Sequence, residues 1–450
     1  MIKNFEYKNV YFIGVGGISM NALCKLLFNK GYTVSGSDVH PSERTEELEK
    51  MGIKVYYKHE KSNLIGKKID ACIYSSAIKE ENEEYQYCKA HNIKLIKRAE
   101  LLGLLAENYK NVIAISGSHG KTTTTAMISS IFIEGKKYPT VHIGGEYPKI
   151  NGNYLNGKND YFITEACEYM DNFLYLNPKI SVITNIEEDH LDYFKNIETI
   201  IKSFNQFADQ TKQLVVVHEK YSRYIHKKHI TYGKDKKCFA YYILKGINKN
   251  LGYDFDLYID NEYYDSYSLK VIGEKNVENA TVSILLGFVY NIDKSIIKKA
   301  ISHFTGVSRR FEFIGKYNKN ECFIDYAHHP TEIRNIVDTL KKTTNKNIIC
   351  VFQPHTYSRT KKLFNEFYEV LKDVHNLILY KTYPAREEKI AGGDYLDLYY
   401  ALKENHKLVY QAKNTDDLKK QIDHLLTQNN LILFLGAGDI NDVAKEILTE

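Results

Sequence analysis

The sequence predicts an α/β protein of three domains, in which two parallel-sheet domains flank a central domain that opens with a glycine-lysine turn. Apolar runs alternate with helical patterns near both ends of the chain, which is typical of parallel sheets covered by helices. Two glycine turns each follow an apolar run and open a helix, within Val10–Leu23 and Val112–Phe132. The length of 450 residues agrees with about three domains at roughly 150 residues each.

Composition is that of an ordinary globular chain. Apolar residues make up 43% and charged residues 26%, and no apolar run approaches the roughly 20 residues that span a bilayer. The N-terminus lacks the apolar core of a signal peptide, so we expect a cytoplasmic protein without membrane contact. The net charge of +5 without a basic tract argues against nucleic-acid binding. Seven cysteines without a C-x-x-C pair argue against a disulfide framework or zinc site.

The first hundred residues contain three apolar runs separated by helical patterns. These runs are Val10–Ile13, Thr33–Ser37 and Ala71–Ser75, and their alternation with helices predicts a parallel sheet. A helical stretch, "RAELLGLLAEN", leads into a second series that starts at Val112. The first domain is therefore expected to cover residues 1–106.

The middle of the chain changes its period. "YDFDLYID" and "YYDSYSLKV" alternate with period two on either side of an Asn-Glu turn, which predicts antiparallel strands before the helix "VENATVSILLGFVYNI". After residue 308, four apolar runs again alternate with helical stretches. One of these has Ile333, Ile336, Val337 and Leu340 on a single helical face. Residues 107–307 and 308–450 are the second and third predicted domains.

The first glycine turn resembles a dinucleotide fingerprint. Gly14, Gly16 and Gly17 follow an apolar run, and Asp38 stands about twenty residues further on, where an acid would meet a ribose. The third glycine of the pattern is replaced by Ser19, and such a pattern indicates a diphosphate more than a nicotinamide. An NAD-dependent oxidoreductase stays open at this point.

The second turn, "SGSHGKTT", resembles a P-loop. Its spacing departs from the standard one, because Ile115 takes the place of the first glycine. Gly117 and Gly120 would let backbone amides surround a phosphate at a helix N-terminus. Lys121 would reach the β- and γ-phosphates, and Thr122 would supply a ligand to Mg²⁺.

Two clusters of acidic residues follow apolar runs downstream of this turn. Glu165 and Glu168 end one run, and Glu187, Glu188, Asp189 and His190 follow the next. The carboxyl ends of parallel strands form the binding edge of an open sheet, and Mg²⁺ prefers oxygen ligands. A magnesium nucleotide site is therefore predicted beside the lysine turn.

Seven motifs resemble the Mur ligases of peptidoglycan synthesis, in order and spacing, over essentially the whole chain. They are "GSHGKTTTT", "TNIEEDHLDYF", "GEKNVENA", "GVSRRFE", "DYAHHPTEI", "FQPHTYSRT" and "FLGAGDI". The resemblance implies an N-terminal Rossmann-like domain for a UDP-sugar, a central P-loop ATPase domain and a C-terminal Rossmann-like domain for an amino acid.

The resemblance also implies a reaction. ATP would phosphorylate the lactyl carboxylate of UDP-N-acetylmuramate, and the amine of L-alanine would then attack the acyl phosphate and release phosphate. The alternative within the family is the ligase that reattaches recycled murein tripeptide. Two rivals of other classes are the NAD-dependent oxidoreductase, which leaves the lysine turn unexplained, and a P-loop ATPase regulator, which would hydrolyse ATP without a UDP-sugar.

Site residues implied by the resemblance fall into groups by ligand. The ATP group is Gly117, Ser118, His119, Gly120, Lys121, Thr122 and Thr123, with Asn276 at the adenine and Asp325 at the ribose. The Mg²⁺ group is Thr122, Glu165 and His190. The UDP-sugar group is Gly14, Gly16, Gly17, Asp38, Ser75 and Ser76. The alanine group is Tyr326, His328, His355 and Arg359, and the catalytic group is Lys121, His329, His355, Arg309 and Arg310.

The residue types in the third domain agree with these roles. His328, His329 and His355 all follow apolar runs, and His329 or His355 is the expected general base. Arg359 is one of only eight arginines against 53 lysines, and a planar guanidinium suits the carboxylate of an amino acid. One departure stands at Cys167, where the family usually has aspartate. We expect a buried structural thiol there.

Overall fold

The computed structural model describes residues 2–189, 193–385, 387–405 and 408–449. The chain forms two compact units. The first comprises Met1–Lys245, Asp254–Ser268 and Lys275–Phe304, and the second comprises Gly246–Tyr253, Leu269–Glu274 and Thr305–Glu450. Among the described residues, no helix combines the length and apolar character needed to cross a membrane.

The N-terminal part of the first unit is a five-stranded sheet in the order β3-β2-β1-β4-β5, with every strand pair parallel. The strands are β1 (Asn9–Ile13), β2 (Thr33–Ser37), β3 (Lys54–Tyr56), β4 (Ala71–Tyr74) and β5 (Lys94–Lys97). The helices are α1 (Ile18–Asn29), α2 (Glu43–Lys50), α3 (Glu83–Ala90) and α4 (Arg98–Ala106). Burial on both faces explains why β1 and β4 are almost entirely apolar.

A ten-stranded sheet follows, in the order β15-β14-β13-β12-β11-β10-β6-β9-β7-β8. Its strands are β6 (Asn111–Ser116), β7 (Thr140–Tyr147), β8 (Gly152–Leu155), β9 (Tyr161–Glu165), β10 (Ile180–Ile183), β11 (Leu214–His218), β12 (Ile230–Gly233), β13 (Ala240–Ile247), β14 (Tyr253–Ile259) and β15 (Glu262–Ser268). Its helices are α5 (Lys121–Glu134), α6 (Ile197–Gln210), α7 (Glu274–Val289) and α8 (Lys294–Ser302). The central pairs are parallel, whereas β7–β8 and β14–β15 are antiparallel.

The second unit contains a six-stranded sheet in the order β16-β17-β21-β18-β19-β20, parallel except for the β16–β17 pair. The strands are β16 (Glu312–Tyr317), β17 (Asn320–Asp325), β18 (Asn347–Phe352), β19 (Asn376–Tyr380), β20 (Val409–Ala412) and β21 (Asn430–Leu435). The helices are α9 (Pro330–Thr343), α10 (Tyr357–Lys362), α11 (Phe364–Leu371), α12 (Tyr395–Lys403), α13 (Thr415–Leu425) and α14 (Ile440–Thr449). Apolar clusters cover the two faces of this sheet.

These elements confirm the predicted fold class, an α/β chain in which parallel-sheet domains precede and follow a central domain along the sequence. The antiparallel pair β14–β15 is also confirmed. Its turn lies one residue earlier than predicted, at Asp260 and Asn261, which both have positive φ (51° and 64°), while Glu262 already pairs with Ile259 in the ladder. The domain boundaries at residues 106 and 307 stay predictions.

Candidate active site

The lysine turn joins β6 to α5 through two glycines with positive φ. Gly117 has a φ of 134° and Gly120 one of 85°. A Cβ atom on Gly117 would lie 2.2 Å from Oγ1 of Thr184, so no side chain fits there. No side chain caps the start of α5, and the amides of its first turn therefore lie at an anion-binding helix end.

The loop after β10 is hydrogen-bonded to the lysine turn. Thr184 donates from Oγ1 to the carbonyl of His119 (2.7 Å), and Oδ1 of Asn185 accepts from the His119 amide (2.8 Å). Oγ of Ser118 accepts from the amide of Glu187 (3.2 Å). Both sides of the turn are thus bonded to this loop, which fixes the path of the backbone around the site.

Lys121 forms an ion pair with Glu168, in the loop after β9. Its Nζ lies 3.1 and 3.2 Å from the two carboxylate oxygens of Glu168, and it also donates to the carbonyl of Ser118 (3.2 Å). Burial lowers the pKa of Lys121, but the charge of Glu168, aided by Cys167 and Glu165, outweighs burial and leaves it raised. The lysine therefore stays an ammonium group.

Two of the three predicted Mg²⁺ ligands lie in the described part of the chain. Glu165 ends β9, and its Oε1 accepts from the amide of Gly144 (2.6 Å). Thr122 stands in the first turn of α5 and is buried. A hydroxyl and a carboxylate are donors that suit Mg²⁺, which keeps several waters and phosphate oxygens of its own. His190 lies outside the described residues, within which no three His, Cys, Asp or Glu side chains form a metal-binding group.

The predicted adenine residue, Asn276, lies close to the same turn. Its Oδ1 accepts from Nδ2 of Asn279 (3.1 Å), and Oδ1 of Asn279 is 3.0 Å from the position of a Cβ atom on Gly120. The N-terminal turns of α7 therefore border the phosphate turn. From the sequence, only the family resemblance implied that Asn276 lies near this turn.

The loop after β10 also brings a carboxylate to the turn. Glu187 lies 3.4 Å from Nε2 of His119 and accepts from the Tyr221 hydroxyl (2.7 Å). Burial raises the pKa of Glu187, but the bonds and charge of His119, the Tyr221 bond and the charge of Lys275 together lower it to about 2. Glu187 is thus an anion held in place beside the turn.

The first glycine turn follows β1. Gly14 has a φ of 82°, and the amide of Gly16 donates to Oδ2 of Asp38 (2.8 Å). A Cβ atom on Gly16 would approach that same oxygen to 2.8 Å. The acid expected near a ribose therefore bonds the turn itself. Ser75 and Ser76 follow the neighbouring strand β4, with Ser75 half-buried and Ser76 exposed.

A hydrogen-bonded group links this turn to the central sheet. Oγ of Ser19, in the first turn of α1, lies 2.8 Å from Nε2 of His142 on β7 and accepts from Arg98 (3.0 Å). Nδ1 of His142 lies 2.9 Å from Oγ1 of Thr164, which directly precedes Glu165. Burial and the charge of Arg98 lower the pKa of His142 to about 3. The helix of the first turn is thus bonded to the strand that carries Glu165.

In the second unit, Asp325 ends β17 and is buried. Its carboxylate accepts from the amides of Phe311 (2.7 Å) and Ala327 (2.8 Å). Burial raises the pKa of Asp325 to about 6, even though the charge of Arg310 and these amides lower it. The carboxylate therefore fixes the backbone on both sides of the strand end.

Two arginines flank Tyr326. The guanidinium carbons of Arg309 and Arg310 lie 4.9 and 5.2 Å from the centre of its ring. Arg309 also donates to the carbonyls of Gly436 and Gly438, both at 3.0 Å. The loop after β21 and the end of β17 are thereby held together around this aromatic ring.

The predicted amino-acid residues lie near one another in this unit. The ring of His328 is 5.3 Å from that of Tyr326 and 5.8 Å from that of His355. Arg359 lies 3.2 Å from Nδ1 of His355. His329 takes another place, because its Nδ1 accepts from the Thr331 amide (3.4 Å) at the start of α9. His328, His355, Tyr326 and Arg359 thus form one cluster.

Three family models match the chain consecutively. They are the Mur ligase family catalytic domain over residues 9–110, the Mur ligase middle domain over 115–287 and the Mur ligase glutamate ligase domain over 309–438. The chain belongs to the Mur ligase family. This membership confirms what the seven sequence motifs indicated.

Relatives from within the Mur ligase family match over almost their full length. The UDP-N-acetylmuramate–L-alanine ligase of Clostridium kluyveri is 40% identical, with 100% of this chain and 99% of that protein covered. The enzyme of the same name from Caldanaerobacter subterraneus subsp. tengcongensis is 38% identical and covers 99% and 98%. The similarity therefore extends over nearly the whole length of this chain and of both enzymes.

Solved structures of Mur ligases share the fold. The UDP-N-acetylmuramate-alanine ligase from Thermotoga maritima superposes with a TM-score of 0.83 at 28% identity, covering 98% of each chain. A murein peptide ligase from Psychrobacter arcticus gives a TM-score of 0.72 at 20% identity, a likeness that concerns the fold alone. Mur ligases depend on ATP, and the MurF ligase from Thermotoga maritima was solved in complex with ADP.

Sequence reasoning missed two features of the site and was wrong about the burial of Cys167. Glu168 was singled out as an acid, but its pairing with Lys121 was not foreseen. His142 carries no motif, and its only signal is a polar residue within an apolar strand. Cys167 was expected to be buried and is instead half-buried, because it lies in the loop after β9 and not in the strand itself.

Proposed function

We propose that the protein joins L-alanine to the lactyl carboxylate of UDP-N-acetylmuramate, with ATP converted to ADP and phosphate, as a step of peptidoglycan precursor synthesis in the cytoplasm. The observation that carries the proposal is that both glycine turns lie in one compact unit. Ser19, which follows the first turn, is hydrogen-bonded to His142 in the sheet that carries the second. The names of the full-length relatives select the substrates.

ATP would bind at the turn between β6 and α5. The amides of residues 117–123 would surround the phosphates, and Lys121 would exchange Glu168 for the γ-phosphate. Asn276, held near Gly120 through Asn279, would contact the adenine. Asp325, in the other unit, is proposed for the ribose from the family resemblance alone.

Mg²⁺ would be held by Thr122 and Glu165, with His190 as a further ligand. The ion would supply positive charge that stabilises the phosphoryl group during its transfer. The chain's own contribution is positional, since the amides of the turn stabilise charge without needing to rearrange, and Lys121 adds its charge once it has exchanged Glu168 for the phosphate. The observed donors, a hydroxyl and a carboxylate, fit this ion.

The UDP-sugar would place its diphosphate on the turn at Gly14, Gly16 and Gly17, at the start of α1. Asp38 would hold the backbone of this turn in place through its hydrogen bond with the Gly16 amide. Ser75 and Ser76, at the end of the adjacent strand, would line the same site. This assignment is preferred to NAD because the family resemblance gives the diphosphate to the UDP-sugar, and because an NAD-dependent enzyme would leave the lysine turn unexplained.

The amino acid would bind in the cluster of the second unit. Arg359 offers a planar donor for the α-carboxylate, with Tyr326, His328 and His355 around it. Arg309 and Arg310 would hold Tyr326 and offer positive charge to the reacting groups. Residues 1–106, 107–307 and 308–450 are the proposed domains of sugar nucleotide, ATP and amino acid.

Phosphate release from ATP tests the proposal. Purified protein with UDP-N-acetylmuramate is offered L-alanine, glycine, L-serine or murein tripeptide in separate reactions. We expect release with alanine, weaker release with glycine and serine, since one methyl group is worth about 1–3 kcal/mol, and little with the tripeptide. Preference for the tripeptide would favour the recycling ligase. ATP consumption that ignores the sugar nucleotide would favour a regulatory ATPase.

A further inference from the structure

Three histidines follow strand ends in the second unit, and their hydrogen bonds place the ring protons differently. We propose that His328 is the general base that accepts the proton of the substrate ammonium, that Glu332 is its positioning residue, and that His355 is a hydrogen-bond donor instead of a base. The inference rests on the proposed function and concerns only which side chain handles which proton.

His355 has its proton position set by Arg359. NH1 of Arg359 lies 3.2 Å from Nδ1 of His355, and a guanidinium can only donate. Nδ1 is therefore the acceptor, and the neutral ring carries its proton on Nε2. A ring in this form offers an N–H at Nε2, which suits a carboxylate oxygen, and has no lone pair there to receive a proton.

The His355 ring is also fixed in orientation and charge. It stacks on Tyr383 with the ring centres 5.6 Å apart, and the two residues form an isolated parallel bridge. Thr356 has a φ of 68° and a ψ of 143°, a strained conformation for a β-branched residue beside a functional one. Burial lowers the pKa of His355 to about 3, aided by the charges of His328, Arg359 and Arg309.

His328 has the opposite arrangement. Its Nδ1 lies 2.9 Å from the carbonyl oxygen of Tyr326, and a carbonyl can only accept. The proton therefore sits on Nδ1, and the lone pair is on Nε2. Oε2 of Glu332 lies 3.4 Å from the same Nδ1, so a carboxylate faces the side of the ring that becomes positive when Nε2 gains a proton.

Glu332 is held in place to serve this ring. Its Oε2 accepts from the backbone amides of His328 (3.0 Å) and His329 (3.3 Å). NH1 of Arg310 lies 3.8 Å from its Oε1. A carboxylate on one side of an imidazole and the group that gives up its proton on the other is the arrangement that orients and stabilises a histidine base. Here these groups are Glu332, His328 and the substrate ammonium group. His329 is less suited, because its Nδ1 lone pair is used at the start of α9.

The proton balance of the proposed step is as follows. The substrate nitrogen enters as an ammonium group and gives one proton to Nε2 of His328. The neutral amine then forms a C–N bond with the acyl carbon, and the bond between that carbon and the bridging oxygen of the phosphate breaks. The second proton of the nitrogen leaves with the phosphate, which departs as HPO₄²⁻, and His328 returns its proton to solvent.

Hydroxylamine separates the proton step from the rest of the reaction. It is a weak base, neutral at pH 7, and attacks an acyl phosphate to give a hydroxamate without needing a general base. We expect His328→Gln to lose amide formation with alanine by about 10²-fold or more, while it still forms most of the hydroxamate from UDP-N-acetylmuramate and ATP. His424→Gln, an exposed histidine of the same unit, should leave both reactions unchanged.

The outcomes are distinct. If His328→Gln keeps its rate with alanine, or loses hydroxamate and amide equally, the assignment of the base is overturned. If the unaltered protein forms neither product, it is the proposed function that fails. Glu332→Gln should lose rate with alanine on the neutral plateau and shift the acidic limb of the pH–rate profile to lower pH, since the imidazolium form of His328 loses the carboxylate that stabilises it. Glu332→Asp should recover part of that loss.

His355 supplies the contrasting variant. His355→Gln keeps an N–H donor, so we expect a raised KM for alanine, a small change in kcat and an unchanged acidic limb of the pH–rate profile. A lost acidic limb in this variant would make His355 the base. Nitrogen NMR of the full-length protein gives a readout that does not depend on enzymatic activity. His328 should show the Nδ1–H form and His355 the Nε2–H form. The reverse pattern refutes the proposal.

Discussion

The imidazole of His142 joins the hydroxyl group of Ser19, with Nε2 and Oγ 2.8 Å apart, and so bonds the helix of the first glycine turn to the central sheet. The other ring nitrogen meets Thr164, one residue before Glu165. Thr164 is buried and Ser19 is half-buried. The lowered pKa of His142 keeps the ring neutral, so one ring nitrogen donates to a hydroxyl group and the other accepts from one. The proposed sugar-nucleotide and metal sites thus share one hydrogen-bonded connection.

Replacing His142 should weaken that connection. His142→Ala leaves the hydroxyl groups of Ser19 and Thr164 without this partner, which costs about 1–3 kcal/mol of unfolding free energy. We also expect a higher KM for UDP-N-acetylmuramate, since α1 loses this connection to the sheet. Urea denaturation and steady-state kinetics measure the two effects. An unchanged KM would separate His142 from the sugar site, and His303→Ala, exposed in the same unit, is the control.

The same residue should make stability depend on pH. The pKa of His142 is about 3 in the folded protein and near 6.5 in an unfolded chain, so the unfolded state binds the extra proton between these values. Stability is therefore lost as the pH falls below about 6.5. The slope of unfolding free energy against pH from 7 to 5 should be smaller in His142→Ala than in the unaltered protein. Equal slopes would assign the acid sensitivity to other groups.

The Lys121–Glu168 pair predicts opposite effects on stability and on nucleotide binding. Glu168→Gln leaves a buried ammonium without its counter-charge, which should destabilise the nucleotide-free protein by about 3 kcal/mol. ATP should nevertheless bind more tightly, because the phosphates no longer compete with the carboxylate. Calorimetric titration with a non-hydrolysable ATP analogue and thermal unfolding with and without it measure both effects. Weaker binding would make Glu168 a contributor to the nucleotide site.

Lys121→Ala gives the matching test on catalysis. We expect kcat to fall on the order of 10²-fold or more, comparable to the loss of one donor to a developing charge. Phosphate release with saturating alanine and UDP-N-acetylmuramate measures it. Near-normal product formation would rule out the assignment of this lysine to the γ-phosphate.

A methyl group on Gly117 should disrupt the phosphate turn. Gly117→Ala combines a φ of 134° with a Cβ atom 2.2 Å from Oγ1 of Thr184, so the turn must shift. We expect ATP binding to be lost beyond detection in an otherwise folded protein. Gly52→Ala is the matched control, because Gly52 also has a positive φ (90°) but nothing within 4 Å of the added atom. ATP bound equally by both variants would contradict this use of the turn.

Arg359 should distinguish a planar fork from a simple positive charge. Arg359→Lys keeps the charge but loses the paired donors, so KM for alanine should rise about tenfold or more with a smaller effect on kcat. Arg334→Lys, an exposed arginine of the same unit, should change neither. If Arg359→Lys has an unchanged KM, the α-carboxylate binds elsewhere.

Sequence patterns determined much of this fold because they report local physics. The strand Thr33–Ser37 was predicted as a run between helical patterns, and the antiparallel pair β14–β15 was predicted from a period of two. Both phosphate turns follow from glycines placed between an apolar strand and a helix, where positive φ is needed. The turn at Asp260 and Asn261 was displaced by one residue, since periodicity does not define which residue begins the returning strand.

The sequence by itself determined the family, the order of the sheets and the two turns, because all of these depend on residues close together in the chain. Only the tertiary structure decided that Glu168 pairs with Lys121, that His142 meets Ser19, and which nitrogens of His328 and His355 carry protons. These relationships join residues from different strands and loops. A ring proton is placed by whichever donor or acceptor the folded chain brings to it, and spacing along the sequence carries no record of that partner.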